Sequence, residues 1–215
     1  DLRLGEGLAG IRGRDGRVTG LVSGTGAEYA ADVVLIGVGV RPRVELALAA
    51  GLAVGSGADE GVVVDVHLRT SDPAVFAVGD CASFPVPGTG TRLRLESVQN
   101  ATDQGRHVAR KILGSPAGYS ALPWFWSNQG SLRLQIAGLT QPGDTTVVSG
   151  DLPGGRFSVL AFRDGQLVAV ESLNRAADHV AARRLLSAAV TPTPEQAADP
   201  AFTLKDFATQ SVPVG

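Results

Sequence analysis

Short apolar runs broken by glycine dominate the first third of the chain. From Leu2 to Val38 these runs are strand-like, and Asp15-Gly16 inside Ile11 to Val22 is a dipeptide favoured in a type I′ hairpin. Ala31 to Val40 is apolar without alternation and runs through two glycines into Arg41-Pro42. That pattern predicts a strand buried on both faces, then a helix near Val44 to Ala50. Gly51 to Gly61 is polar and glycine-rich and predicts a crossing between domains. Gly61 to Val66 resumes as a strand. Ala74 to Val78, bounded by Asp72-Pro73 and Gly79-Asp80, predicts a short buried parallel strand, with a strand and polar turn as the plain alternative.

The period then changes. Phe84 to Gly90 predicts a loop from its Pro and Gly density. From Glu96-Ser97 to Gly114 the spacing predicts a helix with Val98, Ala101, Gly105, Val108, Ala109 and Ile112 inward. Gln99, Asp103, Gln104, Arg106 and Arg110 fall on its other faces. Leu132 to Ala137, Thr145 to Ser149, Arg156 to Arg163 and Gln166 to Ser172 alternate as strands, with Asp164-Gly165 as a second hairpin turn. Asn174 is the expected cap of a helix to about Ala189, with Val180, Ala181, Leu185 and Ala188 inward. Thr191-Pro192-Thr193-Pro194 breaks it before a short tail. The fold class is thus α/β followed by an α+β module, an antiparallel sheet with helices.

Composition narrows the function classes. The chain has 215 residues, a formal net charge of −2 and 44% hydrophobic residues, so neither nucleic acid nor an anionic membrane is an expected partner. No apolar run approaches the roughly 18 residues that cross a bilayer. Cys81 is the sole cysteine, which excludes an internal disulfide and suits a reducing, cytoplasmic setting. There is no Met, and we read the sequence as a piece of a longer polypeptide. His67 has no partner at a metal-ligand spacing, and His107 and His179, beside arginines on helix faces, are expected to be solvated.

Two places carry candidate chemistry. Gly79 permits close approach to the backbone, and Asp80 beyond it is a fixed acceptor for hydroxyls at the carboxyl end of a strand. The helix beginning at Ser97 offers unpaired N–H groups to negative charge, although an acid such as Glu96 at that position is favourable in any helix. Trp124-Phe125-Trp126 holds both tryptophans, and at least one ring is expected to be a core anchor.

Thr70 to Ala82 resembles the second flavin-binding motif of FAD-dependent pyridine-nucleotide oxidoreductases, T-x-x-x-x-(V/I)-(F/Y)-A-x-G-D. Arg94 to Ala101 and Pro123 to Gln129 are similar to segments of the ferredoxin reductases that serve bacterial oxygenases. The resemblance covers nearly the whole chain but only the carboxyl-terminal half or so of the family's length. It implies residues 1–60 as the end of an NAD(P)-binding domain, 61–116 as part of an FAD-binding domain, and 117–215 as the reductase interface domain. That coverage implies missing pyrophosphate-binding lobes, and no CxxC pair is present, which separates the chain from the disulfide-reducing branch.

The resemblance also implies roles. Asp80, with Gly79, would hold the ribityl chain of FAD, and Ser97 and Val98 would face the flavin edge. Glu96 and Trp126 would shape the nicotinamide side, and Gly39, with Gly37 second, would lie along NAD(P)H. Many relatives carry an aromatic residue where Val98 stands and an acid where Asn128 stands. The activity implied is hydride transfer from NAD(P)H to FAD, with electrons passed to a ferredoxin-type iron–sulfur protein. Arg92, Arg94, Arg106, Arg110 and Arg183 are candidates for its docking face. Other superfamily members remain alternatives: an NADH oxidase, a nitrite reductase flavin subunit or an apoptosis-inducing-factor-like protein. So does an inert truncated module.

Overall fold

A computed structural model of the chain describes residues 1–57, 60–86 and 91–212. Residues 58–59 of the expected crossing and 87–90 of the expected loop lie outside them. The chain divides into two compact units, Asp1–Arg41 and Pro42 onward.

The first unit is a three-stranded antiparallel meander, β1 (Leu8–Arg14), β2 (Arg17–Ser23) and β3 (Glu28–Ala30), in that order. Asp15 and Gly16 turn between β1 and β2 with φ of 50° and 75°, the left-handed pair that a type I′ turn requires. Leu2 to Leu4 is not yet strand. Nor is Ala31 to Val40, where Val33 is 83% and Leu35 95% exposed. A strand buried on both faces needs ladder neighbours and covering layers. Among the described residues no strand pairs with this segment, so its apolar composition alone does not make it one.

The second unit opens with a short helix, α1 (Glu45–Ala49), as its spacing predicts. A four-stranded sheet follows: β4 (Val54–Gly55), β5 (Gly61–Val63), β6 (Ala82–Pro85) and β7 (Arg92–Leu93), ordered β4-β5-β6-β7. Only β5 and β6 run parallel, with Val62 opposite Ala82 and Val63 opposite Ser83. Ala74 to Val78 is not the parallel strand its composition predicts. Phe76 makes a single antiparallel bridge to Arg69, and Val75 and Val78 are exposed. The segment is instead one arm of a loop opened by Thr70, whose amide donates to the Val75 carbonyl and whose hydroxyl donates to that of Asp72. A small core of Val64, Leu68, Ala82 and Phe84 lies under this sheet. Val108 of α2 (Val98–Ile112), together with Leu95 and Tyr119, packs against it.

The remainder is a five-stranded antiparallel sheet covered by helices. Its strands are β8 (Trp124–Gln129), β9 (Leu132–Gly138), β10 (Thr145–Asp151), β11 (Arg156–Arg163) and β12 (Gln166–Leu173), ordered β10-β11-β12-β9-β8. Asp164 and Gly165 form the second type I′ pair. Alternation sends Leu160 and Phe162 of β11 and Val170 of β12 to one face. There they meet α3 (Ala176–Ser187), α4 (Pro194–Ala198) and α5 (Leu204–Ser211) through Ala181, Leu185, Ala197, Leu204 and Ala208.

Three expectations change here. Arg175, not Asn174, precedes α3; Asn174 sits at φ 54° and spends its side chain on the Arg133 amide (2.9 Å) and the Gly155 carbonyl (3.0 Å). Val180 and Ala188 face outward, because α3 lies on the sheet along its Asp178, Ala181, Ala182 and Leu185 side. The tail past Thr193 is two capped helices that fill the core, α4 with a reciprocal capping box between Thr193 and Gln196. Leu185→Ala, which deletes a fully buried side chain at this junction, is expected to cost about 2–5 kcal/mol in chemical denaturation.

Candidate functional site

A one-turn 3₁₀ segment, Gly79–Cys81, stands between the Thr70 loop and β6, and α2 packs against it. Gly79 is buried at φ 76°, and a Cβ there would lie 3.3 Å from that of Ala101. Asp80 is exposed, and its carboxylate accepts no hydrogen bond from the described residues.

What docks the turn onto α2 is polar. The Gly79 amide donates to Gln104 Oε1 at 2.7 Å, and Gln104 Nε2 donates to Asn100 Oδ1 at 3.2 Å. Asn100 Nδ2 donates to the Leu95 carbonyl at 3.1 Å, and the Tyr119 hydroxyl donates to Asn100 Oδ1 at 3.1 Å. Burial, then the Asp103 charge, pushes the Tyr119 phenol up to about 12, so it remains a donor. Asn100 and Gln104 are the buried residues of α2, whereas Val98 and Ile112 are 72% and 69% exposed. The expected inner face is thus shifted: Ala101 and Val108 stay inward, Val98, Gly105, Ala109 and Ile112 are exposed, and Gln104, expected outside, is buried. The reason is that a buried backbone N–H at Gly79 must find an acceptor, and only a polar side chain of the helix supplies one.

The start of α2 is held as expected: Ser97 caps it, its Oγ accepting from the Asn100 amide at 3.0 Å. The first-turn amides not used by that cap are free for an anionic group. Arg94 joins this end to the turn, donating from Nη1 to the Asp80 carbonyl (3.2 Å) and to Glu96 Oε1 (2.6 Å). Arg94, Glu96 and Ser97 line a cavity of about 280 Å³ with Pro123, Trp124 and Phe125.

The structure therefore brings Gly79, Asp80, Glu96, Ser97 and Val98 into one neighbourhood. Trp126, 43% exposed, does not line that cavity; Trp124 does, with its ring centroid 5.7 Å from that of Trp126. Gly39 lies in the first unit, exposed and at φ 83°. Sequence reasoning missed Asn100 and Gln104. Their spacing of four on the side of the helix that meets a glycine-rich turn was the available signal.

The five arginines separate into two kinds. Arg92 is internal, bonded through Nη2 to the carbonyls of Val64 and Ser83, and Arg94 is tied as described. Arg106, Arg110 and Arg183 instead line, with Arg184, a notch of about 780 Å³ between α2 and α3. Asp103 is the one carboxylate in that lining, and Arg183 lies 4.2 Å over the Trp124 ring. Trp124 thus borders both the notch and the cavity at Ser97.

The histidines also depart from expectation. His67 Nδ1 pairs with the Ala117 carbonyl at 3.0 Å. His107 is partly buried with Nε2 unpartnered, and burial, then the charges of His67, Lys111 and Arg110, lowers its pKa. His179 is 2% exposed, lies 5.4 Å from the Trp124 ring and has no partner for either nitrogen. Burial, followed by the Arg183 and Arg133 charges, lowers its pKa to about 4. Helix packing against the sheet, invisible in the local sequence, buries both rings. Among the described residues no group of three or more His, Cys, Asp or Glu is placed to hold a metal, and no helix is long and apolar enough to cross a membrane.

With this geometry in view, the comparisons are consistent. Residues 1–105 match the family described as pyridine nucleotide-disulphide oxidoreductase, and residues 124–208 match reductase C-terminal. Rhodocoxin reductase of Rhodococcus erythropolis is 47% identical over 95% of this chain and 47% of its own length. A ferredoxin–NAD(P)(+) reductase of a Sphingomonas species is 41% identical over 98% and 50%. Among solved structures, the ferredoxin reductase for the CYP199A2 system from Rhodopseudomonas palustris has a TM-score of 0.88 at 46% identity, over 95% of this chain and 50% of that one. The covalent putidaredoxin reductase–putidaredoxin complex gives 0.89 at 33% identity, over 98% and 50%. The fold is that of the matching part of these ferredoxin reductases. The chain belongs to the pyridine nucleotide-disulphide oxidoreductase family, in its ferredoxin reductase group, and spans about half the length of the curated relatives it matches.

His179 gives this site a pH signature. The folded state holds the ring neutral down to about pH 4, while the unfolded chain takes up its proton near 6.5. The unfolded state binds more protons between those values, so stability falls as pH drops from about 6.5 to about 4. Thermal melts of His179→Leu are expected to show a shallower loss across that window than the wild type.

Proposed function

We propose that the chain is part of an NAD(P)H-dependent flavoprotein that passes electrons to a ferredoxin-type iron–sulfur protein in the cytoplasm. The reading rests on one observation: Arg94 donates both to the carbonyl of Asp80, whose carboxylate has no partner among the described residues, and to Glu96, beside the Ser97 cap of a helix, and so joins a buried glycine turn to a helix amino terminus. Both ends suit FAD. Asp80 is free to accept ribityl hydroxyls, and the first-turn amides of α2 suit a ring edge that gains negative charge on reduction. When bound, such a flavin accepts two electrons together from NAD(P)H and releases them singly.

Within that reading, Gly79 gives the polyol room, Ser97 and Val98 place the helix end, and Glu96 and Trp126 border the nicotinamide. Gly39 follows the NAD(P)H backbone. Arg94 orients both Asp80 and Glu96. The division at residues 1–60, 61–116 and 117–215 is retained as the proposed domain plan. The acidic iron–sulfur partner is assigned to the notch of Arg106, Arg110, Arg183 and Arg184, where positive charge from two helices faces solvent. The free thiol of Cys81 is in keeping with a reducing compartment.

Titration with FAD tests the cofactor. Bound flavin absorbance is expected with the wild-type full-length reductase and a sharp loss with Asp80→Ala; equal binding by both would remove Asp80 from the site. For the partner, Arg110→Glu with Arg183→Glu in the full-length reductase is expected to raise KM for ferredoxin about tenfold at low salt. NAD(P)H-dependent ferricyanide reduction by the same variant should be unchanged. Oxygen consumption without a ferredoxin requirement would point to an NADH oxidase instead.

A further inference from the structure

We propose that Gln104 is the positioning residue of the flavin polyol site: by holding the Gly79 amide it sets where the Asp80 carboxylate stands. The inference rests on the reading that Asp80 accepts the hydroxyls of that chain.

Gln104 is wholly buried, and both ends of its carboxamide are used. Its orientation is forced. Turning the amide over would put an NH₂ against the Gly79 N–H and leave two donors facing each other without an acceptor. Asn100 prevents the turn from the other side, since its Oδ1 receives Gln104 Nε2 and the Tyr119 hydroxyl while its Nδ2 is spent on Leu95. The acceptor offered to Gly79 is therefore held in one position by three residues at fixed places in the core.

The peptide so gripped is the one that matters. Gly79 sits at φ 76° and Asp80 follows it directly, its carbonyl taken by Arg94 Nη1 at 3.2 Å. The Gly79–Asp80 unit is thus fixed on its amide side by Gln104 and on its carbonyl side by Arg94. The carboxylate between these two anchors is left with no internal partner. A leucine has about the volume of glutamine and avoids its desolvation cost, so packing alone does not call for an amide here. What the amide adds is a fixed backbone beneath a free acceptor, and such preorganisation is what a flexible polyol needs to bind without ordering the site itself.

The test uses the full-length reductase with FAD as probe and four variants. Gln104→Leu removes the acceptor, and Gln104→Glu, which burial keeps protonated, retains an oxygen toward Gly79 and an O–H donor toward Asn100 Oδ1. Asn100→Ala frees the glutamine amide without touching the turn. Val108→Ala weakens the same helix through apolar packing alone. Gln104→Leu is expected to raise the FAD dissociation constant about tenfold or more and to speed hydrogen exchange at the Gly79 amide, as loss of a buried acceptor implies. Asn100→Ala should give a smaller shift of the same kind, and serves if Gln104→Leu does not fold. Gln104→Glu should recover most of the affinity, and Val108→Ala should leave affinity and Gly79 exchange near wild type whatever it does to the melting temperature.

The inference is overturned if Gln104→Leu binds FAD like the wild type, or if Gln104→Glu is as weak as Gln104→Leu. It is equally overturned if affinity across the four variants simply follows their melting temperatures. A full-length wild type that takes up no FAD removes the cofactor reading and this inference with it. Normal binding by the wild type and by Gln104→Leu alike removes only the role of Gln104.

Discussion

The hydrogen bond from the Gly79 amide to Gln104 is the constraint on which the candidate site depends. It crosses from a turn to a helix 25 residues further on, and it is buried. A buried N–H without an acceptor is costly, so the side of α2 that faces the turn has to be polar. From that requirement follow the direction of the helix, the place of Ser97 at its exposed start, and the proximity of Asp80 to Glu96 through Arg94.

Around this polar joint the second unit keeps two separate apolar cores. One is small and lies under the β4–β7 sheet; the other fills the space between the antiparallel sheet and α3, α4 and α5. Trp124 stands at the edge of the larger core, against His179 and under Arg183, and faces both the cavity at Ser97 and the arginine notch. In the proposed function that placement puts the ring site and the docking surface on two sides of one indole. Arg92 and Arg94, bonded to carbonyls and Glu96, serve the architecture, as does Arg184 through the Val212 carbonyl, whereas Arg106, Arg110 and Arg183 line the notch.

Several features were legible because they are local. Asp15-Gly16 and Asp164-Gly165 turn as their types require, since positive φ at both positions is a property of the dipeptide more than of its surroundings. Ser97 caps α2 and Gly114 ends it, again by chemistry within one turn of the chain. Four strands of the five-stranded sheet, β9 to β12, were readable from period alone, whereas β8, at Trp124-Phe125-Trp126, was not. By contrast, Ala31 to Val40 and Ala74 to Val78 have strand composition without ladder neighbours among the described residues, and they are not strands.

The sequence by itself determined the two hairpin turns, the Ser97 cap, the alternation of β9 to β12 and the flavin-type motif from Thr70 to Ala82, because each depends on neighbours in the chain. Only the tertiary structure decided that Asn100 and Gln104 face inward, that His179 is buried, and that the tail past Thr193 is core. Those outcomes depend on partners far away in sequence. A polar residue on a helix reads as solvent-facing until the group it must satisfy is brought against it, and that group, the Gly79 amide, is supplied by folding.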